Sequence, residues 1–410
     1  MNEAIQDLSR WERAAAIAAF AIFAAFLLYR LPLGYGHDRD AYLMLGAWQH
    51  MLAEGQYVPS RFPGYIVAEF ALGMAATLGG AMGSNALVAL LSIGSLWATY
   101  AIGRELEVDK PLLLPALMAA CPYVAIAASS SMDYMIAYAL LASGMLLCLR
   151  GGMLWGIVLL AAAGGARLTN WALAAAFLIW LARRRDGEGW YGSVAALTLV
   201  TGLFYLPVWI SAHLGFGWLS AALPDDQGLF GLLARFAYKV VQPFGLIGTL
   251  AAGALLLVQR ERLQAAWRDP VFRLGLLFVT ITLLIFARAP IEISYLIFAI
   301  PFLGLLLLQA RLSGVLVLLI AGGLFAGVLH VDLIAVRYRD TGPCGPVMAE
   351  GARFAPGVGT GVLLAEIADA RRWDRCFNRR PLLVEPYATA NSPLPVPPHV
   401  ARPRFPRQSD

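Results

Sequence analysis

The sequence predicts an all-α membrane protein with about eleven transmembrane helices, an external loop of juxtamembrane helices and a small external C-terminal tail. Three observations carry this. Hydrophobic residues make up 60% of the 410 residues and charged residues only 14%, against about 45–50% and ~25% in soluble domains. A larger core cannot absorb the difference, because burial per residue levels off as domains grow. The few charges also form short basic interruptions between uncharged stretches, many of them near the ~20 residues a spanning helix needs. This composition excludes a cytosolic enzyme, a disordered chain and a disulfide scaffold. A net charge of +5 and a pI of about 9.1 do not indicate nucleic acid as a partner, because no basic stripe stands on a soluble domain.

The elements follow in order. The run 13–33 is apolar without a break from Ala14 to Leu28, and GYGHDRD follows it with no small-residue cleavage site. It reads as an uncleaved first span rather than a signal peptide. Further runs lie at 63–82, 84–103, 111–128 and 133–149, then 152–166 and 170–182 separated by ARLTNW, then 190–212, 243–259, 271–287, 293–310 and 313–331. If all crossed from a cytoplasmic N-terminus, GRELEVDK (103–110) and the arginines 183–185 would lie outside, against the bias of short cytoplasmic loops toward Lys and Arg. The 63–82 run opens on Pro63-Gly64, carries Glu69 and is rich in Gly and Ala. Read as a helix lying near the outer leaflet, it leaves eleven crossings. Thirteen basic residues then fall on the cytoplasmic side, seven outside and eleven in the tail. Residues 1–331 are thus expected to form the membrane domain of a bacterial inner-membrane protein, with the N-terminus cytoplasmic and the C-terminus periplasmic. The LGG and AGG pairs within apolar runs read as sites of close helix packing.

Two external segments stand apart. The first spans 33–83, far longer than a helix connection needs. Within it, Met44, Ala47, Trp48, Met51 and Leu52 share one helical face, which suits either a helix in the membrane interface or one packed on other protein. The second is the tail, 332–410. Cys344 and Cys376 lie in it and can pair in an oxidising compartment, the alternative being two free thiols; Cys121 and Cys148 read as apolar packing residues. After about residue 385 the tail is Pro-rich, a composition of disorder.

Ionisable groups near membrane depth are costly, so each is a functional candidate. On the external side these are Asp38 and Asp40, Arg61, Glu69, Asp133, Arg167, and Arg288 with Glu292. They stand at the mouths of different spans, as the lining of one cavity would. Acids near a reacting hydroxyl can act as general base, and arginines suit phosphate or pyrophosphate. Together they fit a lipid-phosphate substrate. The blander readings are an N-cap for Asp38 or Asp40 and for Asp133, a snorkelling role for Arg61, an Arg288–Glu292 pair, a structural Glu69, solvated or structural histidines, and interface anchoring for most Trp and Tyr residues.

The segment HDRDAYLMLGAWQHMLAEGQYVPSRFPGY resembles the first external loop of GT-C class membrane glycosyltransferases, which use polyprenyl-phosphate sugars and include protein O-mannosyltransferases and aminoarabinose transferases. Asp38 and Tyr42 match that loop's Asp and Tyr four residues on; Arg39 and Asp40 stand where many members have Glu directly after the Asp, which leaves open which Asp is the base. SSSMDY with Pro122 and Asp133 resembles the second external loop. GGARLTNW resembles a turn with a basic residue near the donor phosphate, here Arg167. RAPIEISYLIFAIPFLGLLL resembles a later span with a basic residue, a Tyr and a Pro, here Arg288, Tyr295 and Pro301. The resemblance covers roughly residues 10–310, makes the 63–82 segment a juxtamembrane helix, and leaves the tail unmatched.

The resemblance implies transfer of a sugar from a polyprenyl-phosphate donor, with inversion, to a hydroxyl of a glycolipid, polysaccharide or protein on the external face. Asp38 or Asp40 would be the base, with Tyr42, Arg61, Asp133, Arg167, Arg288, Glu292 and Tyr295 around the substrates. In some relatives loop acids bind a divalent metal, and Asp38 with Asp133 is the pair that would do so here. No His/Cys cluster points to zinc, and no metal is assigned. The rival function is a transporter or flippase of a lipid-linked or small polar substrate. Transporters tend to show two related halves, and none are visible here; a non-catalytic scaffold would not need these charges.

Overall fold

The computed structural model describes residues 8–36, 38–61, 63–185, 190–211, 229–290, 292–340 and 347–373. Cys344, Cys376, His37 and the Pro-rich end of the tail lie outside the described residues. The rest is a helical membrane protein with one β-hairpin. Among the described residues five helical stretches, one of them the joined pair within Gly231–Val258, are long and apolar enough to cross a membrane unaided, and four shorter apolar helices accompany them.

Helix α1 (Arg10–Arg30) starts in a capping box: Glu12 N–H donates to Ser9 Oγ at 3.4 Å and Ser9 N–H to Glu12 Oε2 at 2.8 Å. This satisfies amides that the first turn leaves without partners. Helix α2 (Arg39–Glu54) ends at Gly55, whose φ of 67° is the left-handed conformation a helix stop commonly uses. The stripe read from the sequence packs against protein in its first half. Met44 and Ala47 are buried, and Trp48 sits edge-on to Phe70 at 5.5 Å and donates to Thr77 Oγ1 at 3.0 Å, while Leu52 is exposed.

The runs 63–82 and 84–103 form α3 (Ile66–Glu105), interrupted where Gly79 and Gly80 leave helical geometry. Beyond the break Gly83 comes against the Ala75 carbonyl; in a straight helix residues eight apart would be about 12 Å apart. The turn is therefore sharp, and residues 66–78 do not continue the line of 81–105. Here the expectation for LGG needs correction. No atom lies within 4 Å of where a Cβ on Gly79 or Gly80 would sit, so these glycines bend the helix rather than pack it. The AGG reading matches the contacts: Gly322 meets Gly248, Gly323 the Ala120 carbonyl, Gly164 Thr201 and Gly165 Phe204.

The single run 111–128 is two helices, α4 (Leu113–Ala120) and α5 (Pro122–Ala127), because the residue before a proline is driven out of helical geometry, and Cys121 is extended. Then come α6 (Asp133–Leu149), α7 (Met153–Ala166), α8 (Thr169–Arg184) and α9 (Trp190–Ser211). Two helices in this stretch were not read from the sequence, α10 (Leu229–Val241), where Arg235 and Lys239 share one face, and the short α12 (Arg260–Ala266); nor was the tail helix described below. Between α10 and α12 runs α11 (Gly245–Val258). Helix α13 (Pro270–Arg288) is capped by Asp269, which accepts from the Val271 and Phe272 amides, with Pro270 in the first turn. A 3-10 segment, Ile293–Ala299, runs into α14 (Ile300–Gln309), and α15 (Ser313–Val328) follows.

The membrane domain passes directly into an antiparallel hairpin, β1 (Leu329–Asp340) with β2 (Val347–Thr360), and then α16 (Val362–Trp373). This last helix packs on α15, α5 and α1, with Gly361 N–H donating to the Val328 carbonyl at 2.9 Å and Leu363 against Gly327. The first half of the tail is thus folded onto the membrane helices.

Candidate functional site

Polar groups collect at one end of the bundle, where α2, α3, α6, the α7–α8 turn and the segment after α13 meet. Asp38 caps α2 and accepts from Asp40 N–H at 2.9 Å, so the N-cap reading applies to it. A helix start also favours negative charge. Asp133 is the first residue of α6 and fully buried. It does not cap its helix: Oδ1 accepts from Arg61 Nη2 at 3.2 Å and Oδ2 from Arg167 Nη1 at 2.5 Å. Arg61 also donates to Asp40. One buried carboxylate thus gathers two arginines, and one of these reaches the loop acids.

Three rings enclose the guanidinium groups. Arg61 lies over Tyr65 at 4.3 Å from the ring centre, and Arg167 lies over Tyr134 at 4.4 Å and Tyr295 at 4.3 Å. Such desolvated cation–π contacts are worth about 2 kcal/mol. The Tyr134 hydroxyl donates to Glu292, which replaces the Arg288–Glu292 pairing considered from sequence. Arg288 is exposed at the end of α13 and joins no ion pair among the described residues. Tyr42 is buried and donates to the Gly36 carbonyl at 3.3 Å, bracing the loop before Asp38. The buried Glu69 accepts from Tyr57, from Ser60 N–H at 2.9 Å and from Ser60 Oγ at 2.5 Å, so it fixes the residue before Arg61.

The carboxylates of Asp38, Asp40 and Glu292 lie within 4.8 Å of one another. Burial pushes the Glu292 carboxyl well above the ordinary carboxylate range, and the charges of Asp38 and Asp40 push the same way. Any divalent cation would find its acids in this trio rather than in Asp38 with Asp133, because both Asp133 oxygens are occupied by arginines. Arg61, Asp133, Arg167, Glu292 and Tyr295 come together with Asp38 and Asp40, whereas Arg288 stands apart. Tyr65 and Tyr134 were missed, although each stands inside a segment singled out, SRFPGY and SSSMDY; both contradict an interface-anchor role.

The helical fold that carries this cluster is shared with a solved structure. In particular, the chain superposes on ArnT from Cupriavidus metallidurans bound to undecaprenyl phosphate, with a TM-score of 0.51 and 16% identity over 73% of this chain and 61% of that one. The apo state of the same protein gives 0.49 and 16% over 72% and 60%. The chain therefore spans about three fifths of ArnT's length. No protein-family model matches the sequence, and no curated protein does.

Proposed function

We propose that this protein is an inner-membrane glycosyltransferase that moves a sugar from a polyprenyl-phosphate donor to an acceptor hydroxyl on the external face, with inversion. One observation carries the reading. Arg61 and Arg167 converge on buried Asp133 beside the loop acids, and Arg61 Nε is buried with no acceptor among the described residues. A buried N–H left unmade costs about 1–3 kcal/mol, and a donor phosphate oxygen would satisfy it. The shared fold supports the choice of lipid, since ArnT is described bound to undecaprenyl phosphate.

In the proposed reaction, Arg61 and Arg167 hold the phosphate while Tyr295 and Tyr134 keep Arg167 dry and oriented. Asp38 or Asp40 takes the proton of the acceptor hydroxyl, which attacks the anomeric carbon opposite the leaving phosphate. Arg61 would then ease the release of lipid phosphate by balancing its charge. The acceptor is a glycolipid, polysaccharide or protein, and Arg288, at the rim, would meet it or the lipid headgroup. The test is reconstitution in liposomes with a panel of polyprenyl-phosphate pentoses and hexoses, following release of lipid phosphate. Transfer by the wild type and none by an Asp38→Ala/Asp40→Ala double variant that folds normally is expected. Full activity in that variant overturns the mechanism.

A further inference from the structure

The residue that closes α1, Arg30, is completely buried. A guanidinium in that position must be paired and hydrogen-bonded. Its Nε donates to Oε1 of Glu366 at 3.1 Å, a residue 336 positions away on α16 and itself buried. Its Nη1 donates to the carbonyls of Leu33 at 3.1 Å and Gly34 at 3.3 Å. One side chain thus joins the C-terminal helix to the loop that delivers Asp38.

That loop needs holding. Gly34 and Gly36 have φ of 73° and 143°, conformations only glycine enters freely. Asn85 Nδ2 also donates to the carbonyls of Leu31 at 3.1 Å and Gly34 at 2.5 Å, and Ser131 N–H donates to the Tyr35 carbonyl at 2.8 Å. Ser131 Oγ closes the set on Asn85 Oδ1 at 2.9 Å, two residues before Asp133. The Gly34 carbonyl thus accepts both from Asn85 and from Arg30, and of these two donors Arg30 is the one tied to the C-terminal helix through Glu366.

We infer that Glu366 is a positioning residue for sugar transfer: through Arg30 it fixes the loop that leads into Asp38 and Asp40, which lie beside Glu292 and, in the case of Asp40, against Arg61. This rests on the glycosyltransferase reading. It makes the C-terminal hairpin and helix a working part of the membrane enzyme. Glu366 touches no reacting atom; it acts through the backbone of residues 33 and 34.

The test uses the full chain in liposomes and has two readouts. In Glu366→Gln, amide hydrogen exchange over residues 31–42 should speed up by about tenfold or more, with exchange in α6 unchanged. Turnover should fall by ~10–100-fold while donor KM moves little, since small misplacement of reacting groups has effects of that size. Glu366→Asp should restore part of both. Should Glu366→Gln fold poorly, the neutral pair Arg30→Gln/Glu366→Gln, which leaves no unpaired buried charge, takes its place with the same expectation. Unchanged exchange over 31–42, or unchanged turnover in a variant whose Asp38→Ala/Asp40→Ala counterpart is inactive, overturns the assignment. Faster exchange over 31–42 in a protein that transfers no sugar upholds the loop anchor, overturns its role in transfer, and counts against the glycosyltransferase reading itself.

Discussion

Arg61 and Asp133 meet at 3.2 Å, although 72 residues separate them. The contact draws the loop after α2 onto the first turn of α6, and Arg167 completes it from the α7–α8 turn. Because Asp133 is fully buried, the two arginines balance one carboxylate in a poorly hydrated place. Removing one partner of a buried pair typically destabilises by about 3–5 kcal/mol. Asp133→Asn should therefore lower the melting temperature in detergent by several degrees, and pairing it with Arg167→Met should recover part of the loss. Equal melting of wild type and Asp133→Asn would show that the cluster does not anchor the fold.

The base can be assigned by separating the two acids. Asp38→Asn keeps an acceptor for the α2 cap, and a capping Asn is about as good as Asp. Asp40→Asn weakens the bond to Arg61. If Asp38 is the base, Asp38→Asn loses ~10²–10⁴ in turnover with normal stability, the scale of a lost general base; the same loss confined to Asp40→Asn assigns Asp40.

Arg167 offers a test of geometry rather than charge. Its planar group lies over the rings of both Tyr134 and Tyr295 and is paired with Asp133. Lysine keeps the charge but loses the fork and the stacking. Arg167→Lys should weaken binding of a polyprenyl phosphate by roughly tenfold or more, the scale of a hydrogen bond to a charged group. Calorimetric titration giving an unchanged Kd would remove Arg167 from the phosphate site.

Much of this was legible in the sequence, for identifiable reasons. Apolar runs of helical length are visible directly, so most of the apolar helices lie within a few residues of the runs read from the sequence. Costly charges at helix mouths flag themselves, so Asp38, Asp133 and Arg167 were visible as candidates. Hidden were features that depend on contacts across the chain. Nothing local to Tyr134 shows that its ring faces Arg167 and its hydroxyl Glu292. The Pro122 break was foreseeable from chain stereochemistry. The hairpin has a local signal in the alternation VRYRD and the Gly-Pro pairs after it. The partner of Arg30, 336 residues away, has no local signal at all.

Glu292 predicts a pH dependence of stability. Its carboxyl titrates above the ordinary value of 4.5 when folded, because burial and the neighbouring acids Asp38 and Asp40 disfavour its charge. The folded state therefore holds the proton more tightly than the unfolded state. This contribution is fully present below pH ~4.5 and declines as pH rises through the raised folded value. Glu292→Gln should flatten the fall in melting temperature over that range and melt higher than wild type at neutral pH and above. Parallel curves for the two proteins would exclude Glu292 as the titrating group.

The bend in α3 can be tested without touching the site. Gly80 has φ of 59° and ψ of −149°, a region essentially restricted to glycine, and no atom lies near its missing Cβ. Gly80→Ala therefore adds backbone strain and no clash, at a cost of about 1–3 kcal/mol. At Gly73 the reason differs, since a Cβ there would run into the Trp48 ring. Gly73→Ala should displace α2 and change Trp48 fluorescence, whereas Gly80→Ala should lower stability with the Trp48 signal kept. Identical spectra and melting for both would mean that the turn does not fix α2.

The sidedness of the eleven-span arrangement is open to direct test, and the contacts sort residues into the two groups it requires. Lys110 pairs with Glu12, Arg150 with Glu105, Arg185 donates to the Cys148 and Leu149 carbonyls, and Arg262 to Arg311. Each of these joins residues assigned to the cytoplasmic side. Arg61 with Asp40 and Asp133, Tyr134 with Glu292, and Arg30 with Glu366 each join residues assigned outside. A wrong number of crossings would be expected to mix the two groups, because one extra span inverts everything after it. Alkaline phosphatase, active only outside the cytoplasm, should therefore be active when fused after Asp340 and inactive after Arg185. The reverse pattern would overturn the arrangement and place the acid–arginine site on the cytoplasmic face, where a donor in the outer leaflet could not reach it.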